Sequence, residues 1–187
     1  MSLFTTPSQT VGPYLRIGFL PLVTDAIAAA GVPGERVSIR GRMSDGDGKP
    51  INDGVLEVWQ ADAEGRYAHP EDGQKTPPAG AFRGFGRILS DGKGVFQFTT
   101  IKPGPVAGPD GSQQAPHLMV TIFMRGMLKH LITRMYFPDD PLNNTDPVLL
   151  SVPADRRGTL VASPSGKSAL EWNIVSQGPG ETVFFDF

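Results

Sequence analysis

The sequence predicts an all-β protein: a two-sheet β-sandwich with long functional loops and little helix. Its 187 residues include 23 glycines and 18 prolines, well above ordinary usage, and they fall between short runs rich in Val, Ile, Phe and Thr. Short strands at regular spacing are typical of two packed sheets. We expect a single domain over residues 1–187, because this length fits one core and no repeat or long linker divides the chain.

Eight segments are predicted as strands because they are short apolar or alternating runs between turn residues. They cover residues 37–43, 54–60, 87–89, 95–99, 118–124, 131–137, 169–176 and 182–185. The glycines within 90–94 predict a hairpin turn, since glycine adopts positive φ at little cost. Residues 95–100 alternate in polarity, which predicts one buried strand face. The one predicted helix covers 24–30, with Thr24 as N-cap and Gly31 at its end.

Composition excludes several classes of function. A net charge of −2 and a pI of about 5.9 provide no electrostatic footprint for nucleic acid or an anionic membrane. The absence of cysteine excludes disulfides and thiolate metal sites, and it is compatible with the cytoplasm, where we expect the protein. No apolar run approaches the length of a membrane span, and we expect no secretory leader at the first residues.

Five stretches of the chain form a recognisable pattern. They are Leu56-Glu-Val-Trp-Gln-Ala-Asp-Ala-Glu-Gly-Arg-Tyr67, Thr100-Ile-Lys-Pro-Gly-Pro105, Ala115-Pro-His117, and the terminal segments Thr6-Pro-Ser-Gln-Thr-Val-Gly-Pro-Tyr14 and Gly180-Glu-Thr-Val-Phe-Phe-Asp-Phe187. Together they resemble the intradiol ring-cleaving dioxygenases, which open catechol rings with O2 by using non-haem iron(III). The resemblance runs from about Thr6 to Phe187, and it too implies a β-sandwich.

The resemblance implies four iron ligands, two tyrosinates and two histidines, and this chain retains only two of them. The four positions are Tyr67, Val106, His117 and Met119, and we call them the remnant ligand positions. Neither a valine side chain nor a thioether suits iron(III), which prefers hard anionic and imidazole donors. The resemblance therefore implies that this chain binds no metal and that Fe(III) is held by a partner, a beta chain that keeps all four ligands.

Each retained residue also has an ordinary structural interpretation. A tyrosine such as Tyr67 after Gly-Arg often packs over the rim of a strand end. His117, at the start of an apolar run, suits a hydrogen-bonded structural histidine. The chain has three histidines, His69, His117 and His130, which is enough for a separate metal site. No HxH, HxxxH or HExxH spacing supports such a site.

The resemblance also implies a contribution to a pocket of the partner. An N-terminal arm, residues 1–14, would reach that pocket with Thr10, Gly12, Pro13 and Tyr14, and Arg125 would project there from a strand end. The forked guanidinium of Arg125 suits a substrate carboxylate. The alternative is that Arg125 caps the strand end and points to water. Residues 61–83 and 102–114 build the iron pocket in ligand-bearing relatives; here we expect an ordered surface or a subunit contact.

The resemblance implies the alpha subunit of a heteromeric intradiol dioxygenase, inactive alone, in a higher-order alpha–beta assembly that acts on a small aromatic substrate and O2. Two alternatives remain open. One is a self-sufficient catechol or hydroxyquinol dioxygenase, although such chains keep all four ligands. The other is a non-catalytic binding or scaffold sandwich, because a fold alone does not determine an activity.

Overall fold

The computed structural model describes residues 4–73, 82–108 and 111–186. Parts of both predicted functional loops, residues 74–81 and 109–110, lie outside the described residues, as do residues 1–3 and 187. The strands are β1 Arg36–Ser44, β2 Val55–Trp59, β3 Phe85–Leu89, β4 Val95–Ile101, β5 Val106–Ala107, β6 Gln113–Gln114, β7 His117–Phe123, β8 Leu131–Tyr136, β9 Ser163–Gly166, β10 Ala169–Glu171 and β11 Ile174–Val175. The α-helices are α1 Gly12–Phe19 and α2 Pro147–Ser151, with 3-10 turns at Leu20–Leu22, Pro141–Asn144 and Arg157–Leu160.

Two sheets account for most of the strands and confirm the predicted all-β sandwich. The four-stranded sheet has the order β3-β2-β7-β8, and every neighbouring pair is antiparallel. In the five-stranded sheet, β1 pairs with β4 on one side and with β10 and then β11 on the other, and β9 flanks β10. The short strands β5 and β6 form a separate hairpin.

The core lies between the two sheets because each strand alternates its side chains between two faces. On β4, Phe96 and Phe98 are buried while Gln97 and Thr99 are exposed, which confirms the alternation predicted for 95–100. They pack in one apolar cluster with Leu118 and Val120 of β7. Burying such a side chain stabilises the fold by about 1.5–3 kcal/mol. The intervening residues of β7, which include His117 and Met119, therefore point to the outer face of the four-stranded sheet.

The predicted hairpin at 90–94 is wrong, although the turn itself is present. Asp91 N donates to Val95 O at 2.8 Å, Gly94 N donates to Asp91 O at 2.9 Å, and Gly94 has a φ of 74°. The flanking strands do not pair with each other, because β3 pairs with β2 and β4 pairs with β1. The turn therefore connects the two sheets. Turn chemistry is local, whereas the sheet that each flank joins is decided by partners far away in the sequence.

The predicted helix at 24–30 is also wrong. Thr24 forms an isolated bridge to Arg87 of β3, and Ala26 forms another to Thr99 of β4. Ile27 N donates to Thr99 O at 2.9 Å. The backbone of the segment therefore forms hydrogen bonds with the edges of both sheets and not within a helix. Such bonds compete directly with a short helix whose isolated stability is marginal.

The last two predicted strands are only partly formed. Residues 169–176 divide into β10 and β11, because the side-chain oxygen of Asn173 replaces a backbone acceptor and takes the Arg42 N–H at 2.9 Å. Residues 182–185 form no strand, and only Phe185 makes an isolated bridge, to Ile132. Within the described part of the chain, no helix is long and apolar enough to cross a membrane.

Candidate functional site

The outer face of the four-stranded sheet brings the remnant ligand positions together. Met119 lies opposite Trp59 of β2 on one side and opposite Arg134 of β8 on the other. Residues directly opposite each other in antiparallel strands share a sheet face, so these three side chains point the same way. Two positions along β7, His117 lies opposite Tyr136 on the same face. Strand register thus assembles the floor of the site.

Tyr67 covers this floor from the loop that follows β2. Its ring stacks on Trp59, with centroids 5.9 Å apart and planes 4° from parallel. Asp62 fixes the loop, because Oδ1 accepts from Glu64 N and Arg66 N, both at 2.9 Å, and Oδ2 accepts from Arg66 Nε at 2.9 Å. Burial raises the pKa of Tyr67, and the charge of Arg134 acts in the opposite direction. The phenol therefore stays protonated at neutral pH and packs over the strand end.

Val106 lies on the β5–β6 hairpin, which sequence reasoning treated as part of a loop. It is buried, and its backbone pairs with Gln114. Arg134 Nη1 donates to Gln114 Oε1 at 2.6 Å. The hairpin is thereby attached to β8 beside the other remnant positions, so the structure brings all four to one place.

His117 is a buried, hydrogen-bonded histidine with 5% of its surface exposed. Its Nδ1 lies 2.8 Å from Ala115 O, and because a carbonyl can only accept, Nδ1 carries the proton. Burial lowers the pKa of His117 to about 4, and the charge of Arg134 acts in the same direction. The imidazole is therefore neutral at pH 7, as the structural interpretation requires.

The three-histidine alternative is not assembled. His69 packs edge-on against Trp59, with centroids 6.3 Å apart, whereas His130 packs against Phe123 at the far end of the sheet. Across residues 4–73, 82–108 and 111–186, no group of three or more His, Cys, Asp or Glu side chains is arranged to hold a metal ion.

A buried carboxylate that sequence reasoning missed completes the site. Asp146 is fully buried, and its Oδ2 accepts from Ala115 N at 2.7 Å while its Oδ1 accepts from the Tyr136 hydroxyl at 3.1 Å. Oδ1 also caps α2 by accepting from Val148 N and Leu149 N at 2.9 and 2.7 Å. Burial raises the pKa of Tyr136, so its hydroxyl stays protonated. The Asp146-Pro147 pair is an N-cap signal that could have predicted α2 from the sequence.

The residues around the remnant positions do not fit the iron(III) implied by the resemblance. Val106 and Met119 supply no suitable donor. The guanidinium of Arg134 lies between the β5–β6 hairpin and the Tyr136 hydroxyl, to which its Nη1 donates at 3.4 Å. A permanently charged cation is thus hydrogen-bonded to residues beside the remnant positions.

The predicted pocket residues Thr10 and Arg125 meet at the opposite end of β7. Thr10 Oγ1 accepts from Gly126 N at 2.7 Å, so the N-terminal arm is fixed to the turn that carries Arg125. Arg125 is 60% exposed, and its Nε lies 3.1 Å from Asp53 Oδ2. This ion pair agrees with the strand-end alternative, but it also holds the guanidinium in position while leaving most of it accessible. Its role toward a partner stays a prediction.

Gly12, Pro13 and Tyr14 begin a helix that sequence reasoning missed. Gly12 has a φ of 64°, Pro13 lies in the first turn of α1, and the Tyr14 side chain is 81% exposed. Proline in the first turn is a helix-start signal that could have identified α1. The helix buries no residue of its own, and Ile17 is 56% exposed. The projecting segment therefore continues beyond residue 14.

A depression of about 400 Å³ lies beside this arm. Its walls come from the arm, from the end of β7 and from the connection to β8, with Phe185 and Asp186 on a further side. The arm, Arg125 and this depression thus occupy one end of the sheet, and the remnant ligand positions occupy the other.

Comparisons with known proteins identify relatives of the whole chain. The family model Dioxygenase_C (Dioxygenase) matches residues 24–178. The chain is 42% identical, over 99% of its length and 98% of the relative's, to the protocatechuate 3,4-dioxygenase alpha chain of Burkholderia cepacia. It is 38% identical to the beta chain from the same organism, over 69% of this chain and 56% of that one. Among solved structures, the dioxygenase domain of a carbohydrate-binding fusion protein from Streptomyces sp. SirexAA-E aligns with a TM-score of 0.62 and 26% identity, over 92% of this chain and 97% of that one.

Proposed function

Because the chain belongs to the intradiol ring-cleavage dioxygenase family, we propose that it is the alpha subunit of a heteromeric protocatechuate 3,4-dioxygenase. The assembly cleaves 3,4-dihydroxybenzoate between its hydroxyl-bearing carbons and inserts both atoms of O2 to give 3-carboxy-cis,cis-muconate. Intradiol dioxygenases use non-haem iron, and in this proposal the beta chain holds it. The observation that carries the proposal is the 42% identity to an alpha chain over nearly the full length of both proteins.

The side chains at the four remnant ligand positions support assigning the iron to a partner chain. Two of the four side chains cannot donate to iron(III), and the retained His117 uses its Nδ1 proton on Ala115. A chain with this arrangement serves the reaction by shaping and positioning rather than by activating the aromatic ring, and such positioning contributes to rate in its own right.

The position of Arg125 supports a pocket shared between chains. The strand β7 separates Arg125 from His117, and its two ends lie about 20 Å apart at ~3.4 Å per residue. Arg125 is therefore too far away to serve this chain's own remnant positions. In a pseudo-two-fold pair, the end of one sandwich that carries its arm can meet the ligand site of the other. In the proposal, Thr10, Gly12, Pro13 and Tyr14 line that pocket, and Arg125 binds the substrate carboxylate.

The exposed face of α1 and of the 3-10 turn that follows it supports association. The apolar residues Tyr14, Ile17, Leu20 and Leu22 are each more than half exposed. A run of large apolar side chains left uncovered in this way is a usual marker of a protein interface. We assign this face to contact with the beta chain, within an assembly of several alpha–beta pairs.

Oxygen uptake with protocatechuate tests the proposal directly. The chain co-expressed with a ligand-complete beta chain should consume O2, whereas this chain alone should neither turn over substrate nor hold stoichiometric iron. Iron content and the visible tyrosinate-to-iron band supply an independent readout. Turnover by this chain alone would favour the self-sufficient catechol or hydroxyquinol dioxygenase. A beta chain equally active without this chain would leave only the scaffold alternative.

Two further parts of the proposal need their own measurements. The number of alpha–beta pairs is measured by light scattering of the co-purified assembly. The cytoplasmic location stays a prediction, and fractionation of the native host tests it.

A further inference from the structure

We propose that Arg134 replaces the metal cation of this chain: its guanidinium occupies the space among the four remnant ligand positions and excludes a metal ion by its volume and its charge. This inference concerns only the present chain, and it holds whether or not the beta chain is the partner.

Arg134 is linked to three of the four remnant positions, each through a different structural relation. It lies directly across the strand pair from Met119. It donates to Gln114, the residue whose backbone pairs with Val106. Two residues before Met119 and on the same face, His117 lies opposite Tyr136, and Arg134 donates to the Tyr136 hydroxyl. The Arg134 side chain therefore contacts Gln114, which pairs with Val106, and Tyr136, which lies opposite His117.

The charge of Arg134 reaches the two retained ligand residues. It lowers the pKa of His117 and opposes the rise in the pKa of Tyr67. These are the effects expected of a cation close to both rings. A bound metal ion would act on the two rings in the same sense, so Arg134 supplies the local positive charge that the site would otherwise lack.

A guanidinium also makes the exclusion permanent. Arginine does not lose its proton in proteins, whereas a buried lysine can. Arg134 is itself buried, with 7% of its surface exposed, so little water screens its charge. Through the Tyr136 hydroxyl it is connected to the buried carboxylate of Asp146. A metal ion entering here would have to displace this cation from the hydrogen bonds of its Nη1 and from its nearby counter-charge.

Restoration of the missing ligands tests the proposal. We would purify the full chain carrying V106Y and M119H, and the same double variant with R134Q or with R134K, and titrate each with ferric iron. The R134Q form should bind iron at least about a hundredfold more tightly than the double variant, because a nearby like charge is removed. The R134K form should bind iron less tightly than the R134Q form, since a lysine retains positive charge at the site to the extent that it stays protonated. The visible tyrosinate-to-iron band and iron content provide the readouts.

A matched control separates local charge from global charge. R156Q, added to the double variant, removes a surface arginine that pairs with Glu181, and it should leave iron binding unchanged. Equal iron affinity in the double variant and its R134Q form would overturn the proposal. So would a gain from R156Q as large as that from R134Q.

A milder pair of variants keeps the test valid if the large V106Y side chain prevents folding. M119H with R134Q and M119H with R134K leave the β5–β6 hairpin intact, and circular dichroism verifies their fold. Zinc should raise the melting temperature of the R134Q form more than that of the R134K form, because a ligand that binds only the native state stabilises it. A zinc-dependent shift of equal size in both forms, or in neither, would count against exclusion by the charge of Arg134.

Discussion

The two ends of the four-stranded sheet differ in how completely the chain satisfies its own side chains. At one end, Arg134, Gln114, His117, Tyr136 and Asp146, here termed the Arg134 cluster, are joined by hydrogen bonds and mostly buried. At the other end, the segment from residue 4 to residue 23 exposes a series of large apolar side chains, among them Phe4 at 94% and Tyr14 at 81%.

The contrast shows which end of the sheet needs no partner chain to pair or bury its side chains. Buried polar groups are stable only when they are paired, and the Arg134 cluster provides most of these pairs from within the chain. The exposed apolar side chains of α1 gain nothing in the isolated chain, because hydrophobic stabilisation requires their removal from water. Changes at the first end should therefore alter stability, whereas changes at the second should alter assembly and turnover.

The largest effect on stability is expected for Asp146→Ala. It leaves the N–H groups of Ala115, Val148 and Leu149 and the Tyr136 hydroxyl without their acceptor. We expect a loss of about 3–5 kcal/mol in the free energy of unfolding, measured by denaturant titration of the full chain. Asp45→Ala is the control, because it removes a carboxylate that also accepts two backbone N–H groups but in an exposed turn. Similar losses in the two variants would show that the Arg134 cluster does not contribute more to the free energy of unfolding than an exposed turn.

Acid should destabilise the protein through His117. Its folded pKa of about 4 lies below the ordinary histidine pKa of 6.5, so its contribution to stability is fully present above about pH 6.5 and is lost as the pH falls toward about 4. The loss is about 3 kcal/mol from this depression. Arg134, Tyr136 and Asp146 are the charged and titratable groups that face the ring.

Comparison with a variant isolates this effect. In His117→Gln, the free energy of unfolding should depend less steeply on pH between these limits, even if the variant is less stable throughout. Denaturant titrations at a series of pH values measure both slopes. Parallel curves for the two proteins would assign the acid sensitivity to other groups.

At the opposite end, Arg125→Ala should affect turnover more than stability. Arg125 is mostly exposed and its ion pair with Asp53 lies near the surface, so the loss of stability should stay below about 1 kcal/mol. In the co-purified assembly, kcat/KM for protocatechuate should fall by about ten- to a hundredfold if the guanidinium binds the carboxylate. Arg125→Lys keeps the charge and should retain more activity. Unchanged kinetics in the alanine variant, with iron content intact, would leave Arg125 as a strand-end cap.

The smallest effect on the isolated chain is expected for Ile17→Asp. Since Ile17 is 56% exposed and α1 buries none of its residues, the free energy of unfolding should change by no more than about 0.5 kcal/mol. Co-purification with the beta chain should nevertheless decrease, because a charge would be desolvated at the contact. Leu150→Asp is the matched control and should assemble normally, because Leu150 is also apolar and partly exposed but lies on α2. Equal recovery of the two variants would remove α1 from the interface.

Sequence reasoning predicted the sandwich and six of its main strands because alternation and turn residues are local signals. It failed for 24–30, whose backbone bonds to Arg87 and Thr99 depend on where two sheet edges lie. It also missed the hydrogen bonds that make Asp146 a central residue, because the residues that donate to it come from three separate segments.

The sequence by itself determined the sandwich class, the family, and the loss of two ligand types at Val106 and Met119, because composition, alternation and motif spacing are written along the chain. Only the tertiary structure decided which side chain lies beside these two positions. Arg134 faces Met119 because β7 and β8 pair in one particular register, and a shift of one residue would send the guanidinium into the core. Register, and the sheet that each flank of the 90–94 turn joins, are set by long-range pairing that no short stretch of sequence specifies.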